Sequence, residues 1–185
     1  MSQLKVDSII PRTGVATGQG GGVVQVITKS FNALVSTTLT SYAEVSSSFR
    51  ATIVPKSGNN KIIIIVNFGN VSAIANTTSF RIYKNGTTFV NEPNSTTSNK
   101  HGNAAVYAAE YMNPTTIIVS EKAVNTDERY YSPFYRINSD EQSGDGESTG
   151  IATINRYRLA NPGPTYVWQT TSHITLVEVS GEEWC

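Results

Sequence analysis

The hydrophobic positions along the chain recur every second residue or in short unbroken runs, and nowhere at the spacing of an amphipathic helix. The strongest run is Lys61-Ile62-Ile63-Ile64-Ile65-Val66. It is too short for a globular helix and far too short to cross a bilayer, so it predicts a strand with apolar side chains on both faces. Each isoleucine that becomes fully buried contributes roughly 1.5–3 kcal/mol, so both faces of this strand need a cover. One cover can be the second sheet of a sandwich, and the other a neighbouring copy of the chain.

Further strands are predicted around this run. Val23 to Ile27 is the first, followed by a Ser/Thr-rich stretch with scattered apolar points, then Tyr42 to Val45 and Phe49 to Pro55. Phe80-Arg81-Ile82-Tyr83-Lys84-Asn85-Gly86-Thr87-Thr88-Phe89-Val90 predicts a hairpin, because Asn-Gly tolerates the two positive φ angles of a type I′ turn. Gly69 to Thr78 fits either a weak strand or a loop, and Asn91 to Asn103 a polar loop. Ala104 to Tyr111 reads as a strand despite its alanines, since small and aromatic residues alternate and Pro114 follows. Thr115 to Val119, Tyr130 to Ile137, Ile151 to Tyr157, Tyr166 to Trp168 and His173 to Val179 complete the set. Eight to ten short strands without a convincing helix predict an all-β, antiparallel β-sandwich of jelly-roll-like form.

Residues 1–22 differ from the rest. Leu4, Val6, Ile9 and Ile10 form a short apolar segment closed by Pro11, and a small-residue linker runs on to Gly22. A tail with no task needs no such apolar residues. The segment is therefore expected to be an extended anchor that adds to a partner, with Leu4, Val6, Ile9 and Ile10 as its docking residues. Residues 23–181 are then the sandwich head and 182–185 a short C-terminal tail.

Composition narrows the chemistry. Lys+Arg and Asp+Glu are both 14, so no basic field invites nucleic acid. Charged residues make up only 15% of the chain, with Ser, Thr, Asn and Gly filling the surface, a composition that suits an extracellular or virion β-protein. The single cysteine, Cys185, allows neither an internal disulfide nor a cysteine-based zinc site. No signal peptide and no transmembrane stretch are recognisable, so membrane insertion is not expected.

Catalytic chemistry finds little to work with. The two histidines are His101, in a polar loop, and His173, at the head of the last strand; neither is expected to be a base. Asp127-Glu128 and Asp140-Glu141 are adjacent pairs and cannot flank one scissile bond by themselves. The loop Asp140 to Glu147 lacks EF-hand spacing and reads as a solvated turn. Gly20-Gly21-Gly22 precedes a strand, so it is no phosphate loop. Sequons at Asn70, Asn76, Asn85 and Asn94 are expected by chance in a chain this rich in Asn, Ser and Thr. No enzyme, metal or cofactor is expected. Tyr130, Tyr131, Tyr135 and Trp168 are the candidate contacts for a host-surface glycan, since flat apolar rings with polar tips suit sugars. Ordinary strand packing is the competing use of the same residues.

Several of these pieces, in this order, resemble a family of small bacteriophage structural proteins, of the tail-fibre or virion structural type found in marine-phage and cyanophage particles. They are Leu4 to Pro11 with its Gly-rich linker and Val23-Val24-Gln25-Val26, then Arg81 to Thr87, Tyr111-Met112-Asn113-Pro114, Ile154-Asn155-Arg156, and Ser172 to Gly181. The segments 118–132 and 140–150 look longer than in that family, and Glu182-Glu183-Trp184-Cys185 is an addition. The resemblance implies a compact jelly-roll-like domain and a homotrimer. It also implies attachment through the N-terminus to a tail, collar or capsid protein, after assembly in the host bacterial cytoplasm. In that reducing compartment Cys185 is expected to stay a free thiol. Two other functions remain open: a head fibre or decoration protein on capsid or collar, and a monomeric carbohydrate-binding module.

Overall fold

The structure, a computed structural model, describes residues 22–74, 77–91, 102–106, 113–137, 150–155 and 169–181. Among the described residues there are twelve strands, one short 3-10 turn and no α-helix. The strands are β1 (Val23–Phe31), β2 (Val35–Thr37), β3 (Ala43–Glu44), β4 (Ala51–Ile53), β5 (Lys61–Ile74), β6 (Thr78–Lys84), β7 (Thr88–Phe89), β8 (Ala104–Val106), β9 (Asn113–Lys122), β10 (Arg129–Ile137), β11 (Ile151–Ile154) and β12 (Ser172–Val179). They form two antiparallel sheets packed face to face, so the expected all-β sandwich is the observed fold. The first sheet runs β1-β12-β5-β11-β2, with β9 on the other edge of β5; the second runs β3-β10-β6-β7, with β4 beside β10 and β8 beside β6. The pairings nest: β1 with β12, β3 and β4 with β10, β5 with β9, and β6 with β7 and β8. That is the pattern of one long hairpin rolled up, the jelly-roll arrangement.

The isoleucine run is the spine of the first sheet. Ile62, Ile64 and Val66 are fully buried against the second sheet, as is Phe68. β12 pairs along one edge of β5, from His173↔Asn67 to Val179↔Lys61, and β9 along the other, from Lys61↔Lys122 to Phe68↔Thr115. β5 does not stop where the aliphatic run stops. It continues to Ile74, which decides the open reading of Gly69 to Thr78 for a strand over its first half. A bulge between Phe68 and Val71 inserts one extra residue, so that Val71 takes up the core side. Buried Asn70 accepts the Asn113 backbone N–H through Oδ1 (3.0 Å), and β11 then pairs with Val71–Ile74.

Rings link the two layers. Phe31 stacks on Phe49 (4.7 Å between centroids), Phe49 meets Phe68 edge-on (6.1 Å), Phe68 meets Phe80 (4.6 Å) and Phe80 meets Tyr135 (6.5 Å). Such contacts add about 0.5–1.5 kcal/mol each beyond burial. Phe49 reaches this chain from the 3-10 turn Ser47–Phe49, where a continuous strand from Phe49 to Pro55 was expected; Ser46 caps that turn by accepting the Ser48 N–H.

Two prolines sit inside strands. Pro114 lies on β9, an edge strand, where its missing N–H costs little. Pro133 lies in the middle of β10, opposite Ile82. Its carbonyl accepts the Val45 N–H, so its nitrogen faces the same edge, at the break between β3 and β4. The second sheet therefore loses no ladder bond to it.

Two buried polar residues tie the strands together. Asn155, in the left-handed region at φ 62°, donates from Nδ2 to the carbonyls of Phe31 (2.9 Å) and Ala33 (3.2 Å). Its Oδ1 accepts from Ser172 Oγ (2.6 Å) and its N–H donates to the Asn70 carbonyl (3.0 Å). Glu178 is fully buried. Its Oε1 accepts from Asn60 Nδ2 (2.6 Å) and the Lys56 backbone N–H (2.7 Å), and its Oε2 from Gln25 Nε2. Burial disfavours the charge on Glu178, but these donors together outweigh it and hold the carboxyl below its ordinary value.

Two predictions follow from this core. Ile64→Ala should cost about 2–5 kcal/mol in a denaturant titration, since the site is sealed on every side. Glu178→Gln turns one acceptor oxygen into a donor that must face at least the Gln25 Nε2 donor, and removes the charge that holds all three donors, so it should cost about 2–4 kcal/mol at neutral pH. Because the folded carboxyl titrates below its ordinary value, its contribution is present above the ordinary carboxylate range and lost as pH falls through the lowered value. The variant should show a flatter acid limb in a pH series of melts; an unchanged limb would contradict this role.

Candidate functional site

Strand alternation decides which aromatic residues meet solvent. In β10, Tyr131, Pro133, Tyr135 and Ile137 point inward, while Tyr130, Ser132, Phe134 and Arg136 point outward. Tyr131 is 0% and Tyr135 3% exposed. The Tyr131 hydroxyl donates to Glu121 Oε1 (2.6 Å), whose Oε2 pairs with Lys84 Nζ (2.9 Å), joining the two sheets at one end. Burial first, and Glu121 second, push the Tyr131 phenol up; burial alone pushes Tyr135 up to about 12. These two are core residues, which corrects the expectation that they offer rings to a glycan. Tyr130 is outward and half-buried. Trp168 lies outside the described residues, as do the docking candidates Leu4, Val6, Ile9 and Ile10.

The outward face of the second sheet carries a layer of rings and guanidinium groups. In β6, Arg81 and Tyr83 point outward, opposite Phe134 and Ser132 of β10. The hairpin then turns at Asn85 and Gly86, with φ 52° and 72° as Asn-Gly predicts, and sets Phe89 opposite Tyr83. A Cβ on Gly86 would also lie 2.9 Å from the Tyr130 hydroxyl, which could move aside, so it is the positive φ that calls for glycine here. Asn85 fixes the hairpin to β10: its N–H donates to the Tyr130 carbonyl (2.9 Å) and its Oδ1 accepts the Tyr130 N–H (3.0 Å).

The layer follows from these placements. The Arg81 guanidinium lies 4.1 Å from the centre of the Tyr42 ring and 4.5 Å from that of Phe89, held between the two. Arg136 approaches the Tyr42 ring at 4.9 Å. Tyr83 packs on Phe89 (5.9 Å) and Phe134 (4.4 Å). At the other end Arg50 covers the Tyr130 ring at 4.5 Å and grips Glu44 with two 2.7 Å bonds. That pairing, against a smaller effect of burial, holds the Glu44 carboxyl below its ordinary value. Every ring in the layer is half-buried, so the face is flat, aromatic and cationic in balance, with three arginines to one glutamate. Such a surface can stack on apolar faces of a ligand and bond to its hydroxyl or anionic oxygens.

Other sequence candidates are dispersed. His173 is exposed on the first sheet, its Nδ1 3.2 Å from Ser30 Oγ. Asp127 accepts from the Asn125 side chain (2.7 Å) in the β9–β10 loop, and Glu128 beside it is exposed. The pair Asp140-Glu141, and His101, lie outside the described residues. Among the described residues no three of His, Cys, Asp and Glu converge as metal ligands would. Of the sequons, Asn70 is buried and Asn85 sits in the hairpin; Asn76 and Asn94 lie outside the described residues.

No protein-family model matches this sequence, and no curated protein is significantly similar to it.

The two kinds of tyrosine can be told apart by substitution. Tyr131→Ala should cost about 3–5 kcal/mol, as for a buried aromatic ring, whereas Tyr130→Ala should cost about 1 kcal/mol. Thermal melts of the two variants check the assignment.

Proposed function

We propose that this chain is a bacteriophage virion structural protein, a trimeric fibre-type appendage. It docks to the particle through residues 1–22 and presents its sandwich to the host surface. The single observation that carries the contact role is the aromatic–arginine layer on the outward face of the second sheet. There Tyr42, Tyr83, Phe89, Phe134 and Tyr130 share one surface with Arg50, Arg81 and Arg136. Rings beside guanidinium groups suit a host glycan with acidic substituents, and three copies on one fibre turn weak contacts into avid ones. The placement on a phage particle rests on the order of sequence segments that resemble small phage structural proteins, and the tail is preferred to capsid or collar on the same ground. No reaction is assigned to the protein.

The same outward layer supports a second reading, a monomeric carbohydrate-binding module. Light scattering separates the two. The full chain and a version lacking residues 1–22 should both have the molar mass of a trimer, leaving the N-terminal segment free to dock. A monomeric full chain would overturn the fibre reading and put the monomeric module first. A trimer that needs residues 1–22 would make that segment an oligomerisation strap and remove its docking role.

A further inference from the structure

The outward face of the first sheet has the opposite character to the aromatic–arginine layer. Across the four strands β1, β12, β5 and β9, one cross-strand row reads Val26, Val177, Ile63, Ser120, and the next Thr28, Thr175, Ile65, Ile118. Val26 is 57% and Ile118 65% exposed. At one end the rows give way to Lys61 and Lys122, at the other to His173, Asn67 and Thr116. The middle of the face holds only aliphatic and hydroxyl side chains, all short. No layer of long side chains covers it as Arg81 and Arg136 cover the second sheet. An uncharged face several strands wide, with five aliphatic side chains among the eight of its central rows, marks an interaction surface.

We infer that this face packs against two further copies of the chain, lining the three-fold axis of a trimer; the inference rests on the trimeric reading above and gives it a surface. Dimensions favour a second and third copy as the cover. Four strands at about 4.8 Å spacing make a face roughly 19 Å wide, and three such faces closed as a triangular prism lie about 5.5 Å from its axis. Packed sheets stand about 10 Å apart, so side chains of valine and isoleucine size span about 5 Å each and fill that prism without a gap. The edges favour the same closure. β1 and β9 bound the face, and among the described residues nothing pairs with the outer edge of either. β1 runs parallel to β5 and β9 antiparallel to it, so neighbouring copies bring antiparallel edges together and shield both. A face-to-face pair of copies would cover the aliphatic rows but leave all four edges open. The lysines lie at one end of the prism, where their amines reach water.

Val26→Lys combined with Ile118→Lys tests this, since both positions are exposed in a single copy and the monomer should keep its fold. The expected result is a trimeric parent, and a double variant of one third the mass with an unchanged β-sheet circular dichroism spectrum. Thr52→Lys, on the opposite face, should stay trimeric. A trimeric parent whose double variant also stays trimeric would overturn the face while leaving the trimeric reading intact. A dimeric parent would overturn the three-fold closure, and a monomeric parent would overturn both. Should the double variant not fold, Ile118→Cys and Thr52→Cys, each with Cys185→Ser, read the same surface. In the native assembly a maleimide should label position 118 at least about tenfold more slowly than position 52. Equal rates would overturn the inference.

Discussion

The fold depends on a strand that is aliphatic on both sides. β5 contributes Ile62, Ile64 and Val66 to the core and turns Ile63 and Ile65 outward, while its two edges bind β12 and β9 over the same residues. The inward set organises the sandwich, because the aromatic chain from Phe31 to Tyr135 crosses between the sheets through Phe68 of this strand. The outward set, Ile63 and Ile65, stays half-buried in the single chain. Hydrophobic packing is non-directional, so it alone would not fix how β5 sits between its neighbours.

Register comes from the polar ties. Shifting a strand by one residue would turn its apolar side chains to the wrong face, and buried hydrogen bonds make that shift expensive. Glu178 locks β12 to β1 through Gln25 and to the β4–β5 loop through Lys56 and Asn60. Asn155 does the same at the opposite end, joining β11 to the end of β1, to β5 and to Ser172. The first sheet is thus pinned at both ends of β12. Its middle is left to aliphatic packing, where the buried side of Ile62, Ile64 and Val66 tolerates no charge.

The strands were legible wherever alternation or an aliphatic run persisted: β1, the first half of β5, the β6–β7 hairpin, β9, β10 and β12 all lie where the pattern puts them. The second half of β5 was ambiguous because a bulge passes the core side from Phe68 to Val71 and breaks the period. What keeps it a strand is Asn70, whose bond to Asn113 no local pattern reveals. The candidate site was legible only in part. Tyr130, Tyr131, Phe134 and Tyr135 form one aromatic cluster by composition, yet alternation divides them two and two. Applied to β10, the same period that identified the strand assigns Tyr131 and Tyr135 to the core. Tyr42 and Arg81 were out of reach, because they meet only once β3 and β6 flank β10.

The two outward faces also explain one another. A sheet whose outer surface is meant for water or for a ligand needs protection against pairing with other sheets, and long cationic side chains laid over rings provide it. Arg50, Arg81 and Arg136 do this on the second sheet, where Arg50 is neutralised by Glu44. The first sheet carries no such cladding between its lysine end and its histidine end, although Ser, Thr and Asn are abundant elsewhere in the chain. Five of the eight side chains in its two central rows are valine or isoleucine, and the other three are short hydroxyls, so nothing long or charged lies over them. On the trimeric reading proposed above, an asymmetry of this kind would orient the molecule, with the bare sheet toward its own copies and the clad sheet outward.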